Sequence, residues 1–291
     1  MSTLTVYPDA SSGATTVDGL VAYVSGAEAN TEAGWDNMIA ASGDFKRTDG
    51  YSSGLEVVYL FQGSGANWNI LGRYIATLDT SALTSGATIS AATFSIYGSA
   101  KLDPAANTPT VNVYGSTPNA NNNLANGDYG QLGSTAYCDT ALTYANQTTG
   151  AYNDFAFNAT GIAAISLTGI TKLGLRNANY DVASTKPTLS TNETSFEIRS
   201  ADYTGTGSDP KLVITYSADI TISAPLATIN IAMPLPGITL NVQAPVGTIN
   251  ILAPVPVITI TAGYTNVSKS SVSYTNTSKN SASWVNRTKR S

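Results

Sequence analysis

Thr88-Ile-Ser-Ala-Ala-Thr-Phe-Ser-Ile-Tyr97 sets Phe94 and Ile96 on one side of the chain and Ser95 and Tyr97 on the other. Neighbouring side chains of an extended backbone point to opposite faces, so this spacing predicts a strand with one face toward a core. The pattern recurs on both sides of this stretch. Val111 and Val113 oppose Asn112, and Leu212 and Ile214 oppose Val213. Further strands are expected at Leu4–Tyr7, Leu20–Val24, Glu56–Phe61, Arg73–Leu78, Thr110–Tyr114, Asp154–Phe157, Lys172–Leu175, Ser195–Arg199 and Lys211–Tyr216. Breaks rich in Gly, Pro and Asn separate them, as turns require. Thr160–Leu167 reads as one short helical turn after a polar cap. The expectation is an all-β sandwich over residues 1–217.

Composition supports short strands over long helices. Only 11% of the 291 residues are charged, and Thr, Ser, Asn, Ala and Gly dominate. The net charge of −5 is uneven: Lys269, Lys279, Arg287, Lys289 and Arg290 place +5 in residues 264–291, which leaves −10 for the rest. A basic tail on an acidic body suits contact with an acidic surface; the alternative is that these cations keep a polar repeat soluble. Histidine is absent and Cys138 is the single cysteine, so neither an intrachain disulfide nor a Cys/His metal site is expected. Met1-Ser-Thr-Leu-Thr-Val6 lacks a charged segment followed by an apolar one, and synthesis in a host cytoplasm without a signal peptide is expected.

Arg73-Tyr-Ile-Ala-Thr-Leu-Asp-Thr-Ser-Ala-Leu-Thr-Ser-Gly-Ala-Thr-Ile-Ser-Ala-Ala-Thr-Phe-Ser-Ile-Tyr97 resembles the central signature of DNRLRE-type jelly-roll domains, which are themselves similar to carbohydrate-binding modules. Ser208-Asp-Pro-Lys-Leu-Val-Ile-Thr-Tyr216 is similar to that family's closing strand. The resemblance implies a jelly-roll β-sandwich used as a structural or glycan-binding module. The chain also resembles tailed-phage virion proteins that carry short C-terminal repeats.

Two repeats follow the first domain. In 218–263 no charged side chain occurs after Asp219, and Ile222–Asn241 aligns with Val242–Thr261 as twenty-residue copies. Ala224-Pro225 matches Ala244-Pro245, and Thr228-Ile-Asn-Ile231 matches Thr248-Ile-Asn-Ile251. Each copy is expected to hold two short strands whose apolar positions are Ile229, Ile231, Ile238 and Leu240, then Ile249, Ile251, Ile258 and Ile260. Prolines about every ten residues and alternating Thr and Asn argue against a membrane-spanning helix. Strands this short need their apolar face covered, either by the same segment of neighbouring chains in an intertwined stalk, expected to be threefold, or by the sandwich itself. Residues 264–291 repeat every ten residues, with Tyr264, Tyr274 and Trp284 as successive rungs. Together with Arg287, Lys289 and Arg290 they form an expected stalk end or anchor.

Candidates for chemistry are few. Glu56, Asp79 and Glu197 could supply a pair of carboxylates, although Glu197 is expected to form a buried ion pair with Arg73 instead. Asp9, Asp202 and Asp209 are candidate calcium ligands where first and last strands meet, and calcium is the one cofactor considered. Trp35, Tyr51 and Trp68 are candidate glycan platforms, since sugar faces stack on aromatic rings; the alternative is that Trp35 and Trp68 plug the sandwich core. The acidic body argues against nucleic acid. These features point to a non-enzymatic, homo-oligomeric virion protein, either a capsid decoration or a fibre or tail appendage. Its expected partners are itself, other virion proteins and host-surface polysaccharide. The alternative is a polysaccharide-degrading enzyme or a free carbohydrate-binding module.

Overall fold

A computed structural model describes residues 1–10, 14–24, 26–48 and 53–221, and beyond these only the strands at 229–231, 239–242, 249–251 and 259–262. The chain divides into two compact units, Met1–Asp219 and Ile220–Ser291.

The first unit is all-β with few and short helices. Its strands are β1 (Ser2–Val6), β2 (Asp18–Tyr23), β3 (Glu28–Ala29), β4 (Phe45–Arg47), β5 (Leu55–Ser64), β6 (Asn67–Asp79), β7 (Thr88–Leu102), β8 (Thr110–Ser116), β9 (Leu132–Ala136), β10 (Leu142–Thr143), β11 (Tyr152–Ala156), β12 (Ile170–Asn177), β13 (Thr194–Arg199) and β14 (Lys211–Ser217). All ten expected strands are present, most of them longer at one end or both. The expected turn near Thr160 is a short helix, α2 (Ala159–Ala163), capped by Asn158, whose side chain accepts from Gly161 N at 3.0 Å.

The pairing is antiparallel along the path β1-β14-β7-β13-β5-β6-β12-β8-β10. Two long strands hold this path together. The first part of β7 lies between β14 and β11, and its second part pairs with β13. Along β6, β5 and β12 follow one another on one edge while β2 takes the other. Both ends of the path supply side chains to one core: Phe94, Ile96, Leu212 and Ile214 join Tyr74, Leu173, Leu175, Val111 and Val113 in a single cluster. The alternation seen in the sequence is therefore the inward row of the sheet. Burying each such side chain is worth roughly 1.5–3 kcal/mol. Gly72 interrupts β6 because a Cβ there would meet Leu20, Leu60 and Ala22, which form a second, smaller apolar cluster with Val57 and Phe45.

Helix α1 (Glu32–Ala40) was not expected. Thr31 caps it by accepting from Gly34 N at 3.1 Å, and Glu32 lies in the first turn, where the helix dipole favours an acid. Gly34 lets the helix press against the preceding backbone, because a Cβ there would lie 2.1 Å from the Ala29 carbonyl oxygen. The contact carries Trp35 and Met38 into the core.

In the second unit, β15 (Asp219–Thr221), β16 (Ile229–Ile231), β17 (Thr239–Val242), β18 (Ile249–Ile251) and β19 (Thr259–Ala262) form two small sheets, ordered β15-β17-β19 and β16-β18. Here the pairing is parallel and in register. Ile229 stands beside Ile249 and Asn230 beside Asn250, while Leu240 stands beside Ile260. Ile229–Ile231 and Thr239–Val242 thus each pair with the counterpart twenty residues on, an interval long enough for the crossover that parallel neighbours require. Successive copies of one repeat stack on each other within the chain, as in repeat proteins.

Candidate functional site

A groove of about 580 Å³ opens beside the β8–β9 pair. Gly115, Ser116 and Thr117 come from the end of β8, Gly130 and Gln131 from the turn before β9, and Leu132 to Thr135 from β9. Tyr137 stands just beyond β9, and Ile170 and Lys172 come from β12. Glycine in the floor has a local reason: a Cβ on Gly115 would lie 2.4 Å from the Tyr137 hydroxyl, so the ring lies over β8 only because position 115 is bare. Phe157 holds that ring edge-to-face at 6.0 Å. Partial burial raises the Tyr137 hydroxyl above its ordinary pKa, so it is a neutral donor and acceptor at physiological pH. Gln131 accepts from Thr117 Oγ1 at 3.0 Å, and Lys172 Nζ donates to Pro118 O at 3.3 Å. Hydroxyls, one side-chain amide, one ammonium and one ring line this groove together with Leu132, Ala164 and Ile170, and among the described residues no carboxylate does.

Behind the floor lies the most polar part of the core. Asp181, in the turn after β12, accepts from Arg73 Nε and Nη2 at 2.8 and 2.7 Å, and from Arg176 Nε and Nη2 at 2.8 and 2.6 Å. The two guanidiniums then reach outward. Arg73 bonds Tyr129 O and Ile39 O and lies over the Tyr129 ring at 3.9 Å. Arg176 bonds Gly133 O at 2.9 Å and Leu132 O at 3.4 Å, both in groove-lining residues. Burial pushes the Asp181 carboxyl upward, but the Arg73 charge and the hydrogen bonds from both arginines outweigh it and hold the group below the usual range. The expected pairing of Arg73 with Glu197 does not form. Arg73 stands opposite Tyr59, and Tyr59 opposite Phe196, so Glu197 falls one residue later, at a bulge, and points to the other face.

A second polar surface crosses three strands. Tyr152 of β11, Tyr97 of β7 and Arg199 of β13 stand directly opposite one another. The two rings meet edge-to-face at 5.4 Å, Arg199 lies over Tyr97 and Tyr203, and Lys211 lies over Tyr152 at 3.8 Å. Each of these rings already has a cation over a face.

The proposed platforms need correction. Trp35 and Trp68 are both 0% exposed. They pack 4.8 Å apart with Phe61 beside them, and Trp35 Nε1 donates to Tyr180 O at 3.0 Å. They plug the core because α1 and the β5–β6 hairpin turn them inward, and they offer no face to a ligand. Tyr51 lies outside the described residues, as do Ile238, Ile258, Tyr264, Tyr274, Trp284, Arg287, Lys289 and Arg290. Ile229, Ile231, Leu240, Ile249, Ile251 and Ile260 lie on the paired strands β16 to β19.

The acids are likewise engaged. Glu56 is buried and held by Arg47, whose Nε donates at 2.7 Å. Asp79 accepts from Ser81 N at 2.9 Å. Asp9 Oδ2 accepts from Thr15 N, Thr16 N and Thr16 Oγ1 at 2.8–3.0 Å. Asp209 is raised to about 6 by burial and, less, by the Asp202 charge. Among the described residues no three His, Cys, Asp or Glu side chains converge on a common ion position, and Asp9, Asp202 and Asp209 are not gathered as a calcium site would require. Asp18 is buried as well and is raised to about 8 by burial, with the Tyr74 hydroxyl donating to it at 2.7 Å.

Sequence reasoning missed Tyr137 and Lys172. The available signal was Gly130-Gln-Leu-Gly-Ser-Thr-Ala-Tyr137, a run of glycine, amide and hydroxyl residues ending on an aromatic. The chain matches no protein-family model, and no curated protein is significantly similar to it. Among the described residues no helix is long and apolar enough to cross a membrane.

Proposed function

We propose that the chain is a non-catalytic, self-associating structural protein whose N-terminal domain binds a glycan in the β8–β9 groove. The observation that carries this reading is the lining itself. Backbone made accessible by Gly130 and Gly133 sits among Thr117, Gln131, Ser134 and Thr135, beside the Tyr137 ring that Gly115 makes room for. Sugars present hydroxyls and C–H faces, and this set complements both. The tyrosine row is the weaker candidate because Arg199 and Lys211 already lie over its rings. The antiparallel domain is read as a jelly-roll sandwich, in keeping with its resemblance to DNRLRE-type domains. The C-terminal repeats are read as the assembling part; the strict internal register of their strands supports a regular, stackable segment. The acidic first domain and the C-terminal repeats favour a virion appendage or capsid decoration, assembled as a trimer.

A polysaccharide-degrading enzyme would need two carboxylates facing a cleft. Glu56 and Asp79 are held by Arg47 and Ser81, which favours binding without cleavage. The test is a binding screen of the full chain against neutral and acidic bacterial-surface and plant polysaccharides, with Tyr137→Ala beside it. Binding that weakens about tenfold or more in Tyr137→Ala is expected, the loss of a stacking ring and its hydroxyl being worth about 1.4 kcal/mol or more. Equal binding by the variant would remove the groove from consideration, and released sugar product would overturn the non-catalytic assignment. Light scattering of the full chain should give a trimer mass, and a monodisperse monomer would refute self-association.

A further inference from the structure

We propose that the groove selects a glycan bearing a carboxylate and that Lys172 is the residue that meets it; this rests on the glycan-binding reading above. The argument begins with charge. Residues 1–219 carry −10, yet among the described residues no Asp or Glu lines the groove. The acids nearest along the chain are withheld from it. Asp128 is fully buried, with its two oxygens taken by Asn119 N and Ala125 N at 3.0 and 2.7 Å. Asp139 accepts from Asn158 Nδ2 at 3.1 Å and is not part of the lining.

Positive charge is supplied from two directions. Lys172 stands on the wall, partly exposed, with its ammonium bonded to Pro118 O at 3.3 Å. An ammonium has three donors, so one such contact leaves capacity for a ligand. Beneath the floor, two arginines share the single carboxylate of Asp181, and the group carries one net positive charge. Arg176 is 6% exposed and donates directly to the carbonyls of Leu132 and Gly133 in the floor. A charge buried behind a thin wall acts through a lower effective dielectric than one in solvent. Across the sheet Asp79 stands opposite Ile170 and accepts from Ser81 N at 2.9 Å, so one acid borders a groove that Lys172 and the buried arginine pair otherwise make positive. A sugar carboxylate at Lys172 would leave the ring hydroxyls to Thr117, Gln131 and Ser134, and a sugar face to Tyr137.

Uronic acids and other acid sugars share this chemistry, and free sulfate or phosphate would meet the same cation. The experiment therefore uses matched probes on the full chain: polygalacturonate and hyaluronan, their carboxyl-reduced counterparts, and inorganic sulfate as competitor. Calorimetry should show the carboxylated members binding about tenfold or more tightly, as a charged hydrogen bond supplies, with the preference shrinking as salt rises. Lys172→Gln should bring each pair within about twofold, and Lys172→Arg should keep the preference. Equal affinity within each pair, or an unchanged preference in Lys172→Gln, would overturn the carboxylate assignment while leaving glycan binding intact. Competition by sulfate at the concentration effective for free galacturonate would reduce the site to a simple anion site and overturn it too. Binding to neither member of any pair would refute the glycan reading itself, and this inference with it.

Discussion

Replacing Asp181 by Asn tests the polar centre of the first domain most directly. The carboxylate accepts four hydrogen bonds of 2.6–2.8 Å from two buried guanidiniums. Asn keeps the shape but removes the charge, and one of its two acceptors becomes a donor facing arginine donors. Two cations then remain buried with no counter-ion. Removing one member of a buried ion pair costs about 3–5 kcal/mol. For a domain of this size, 1 kcal/mol corresponds to roughly 2–4 °C in melting temperature, so a fall on the order of 10 °C is expected. The assay is thermal unfolding at pH 7 by circular dichroism, with exposed Asp139→Asn as the control, expected to shift little. A pH arm sharpens it. The folded pKa of Asp181 lies below the ordinary value of 3.8. Its contribution is therefore present above that value and is lost as pH falls through the folded pKa. The gap between wild type and variant should close toward pH 2. A melting temperature within 2 °C of wild type at pH 7, or a gap that widens in acid, would refute the assigned triad.

Asp18 should behave in the opposite sense. Burial raises it from 3.8 to about 8, so its contribution is complete below about 3.8 and is lost as pH rises through about 8. The full shift corresponds to about 6 kcal/mol, and Asp18→Asn should flatten that part of the stability–pH curve in urea unfolding between pH 5 and 8.5; parallel curves would contradict it. Cys138 is buried and raised to about 12, so a thiol reagent at pH 8 should label it only on unfolding, and rapid labelling of the native protein would contradict its placement. Gly98→Ala should destabilise the first domain by several kcal/mol, since its Cβ would lie 2.0 Å from the Thr148 carbonyl oxygen where β7 meets that loop; an unchanged melting temperature would count against that contact.

The strands were legible because period-two alternation depends only on neighbouring residues. Phe94 and Ile96, Val111 and Val113, and Leu212 and Ile214 all lie in one core. What escaped was set by partners distant in the chain. Helix α1 carries Gly34, Asp36 and Asn37, residues typical of loops, and its stability comes from the Thr31 cap and from Trp35 packing on Phe61 and Trp68. The sequence points to a buried ion pair for Arg73, but its partner Asp181 sits in a turn 108 residues on, where no spacing rule reaches. The groove combines β8, β9 and β12, and only their register brings Tyr137 and Lys172 to one surface.

The twenty-residue register of the second unit makes it a ruler with fixed graduations. Paired strands sit about 4.8 Å apart, so each whole copy inserted or removed changes its length by about that amount and leaves every remaining pair in step. A ten-residue change would instead exchange the strand types, setting Ile229–Ile231 where Thr239–Val242 now pairs with Thr259–Ala262. Length in such a segment can therefore vary among related genes by duplication of entire copies, without redesign of any single strand.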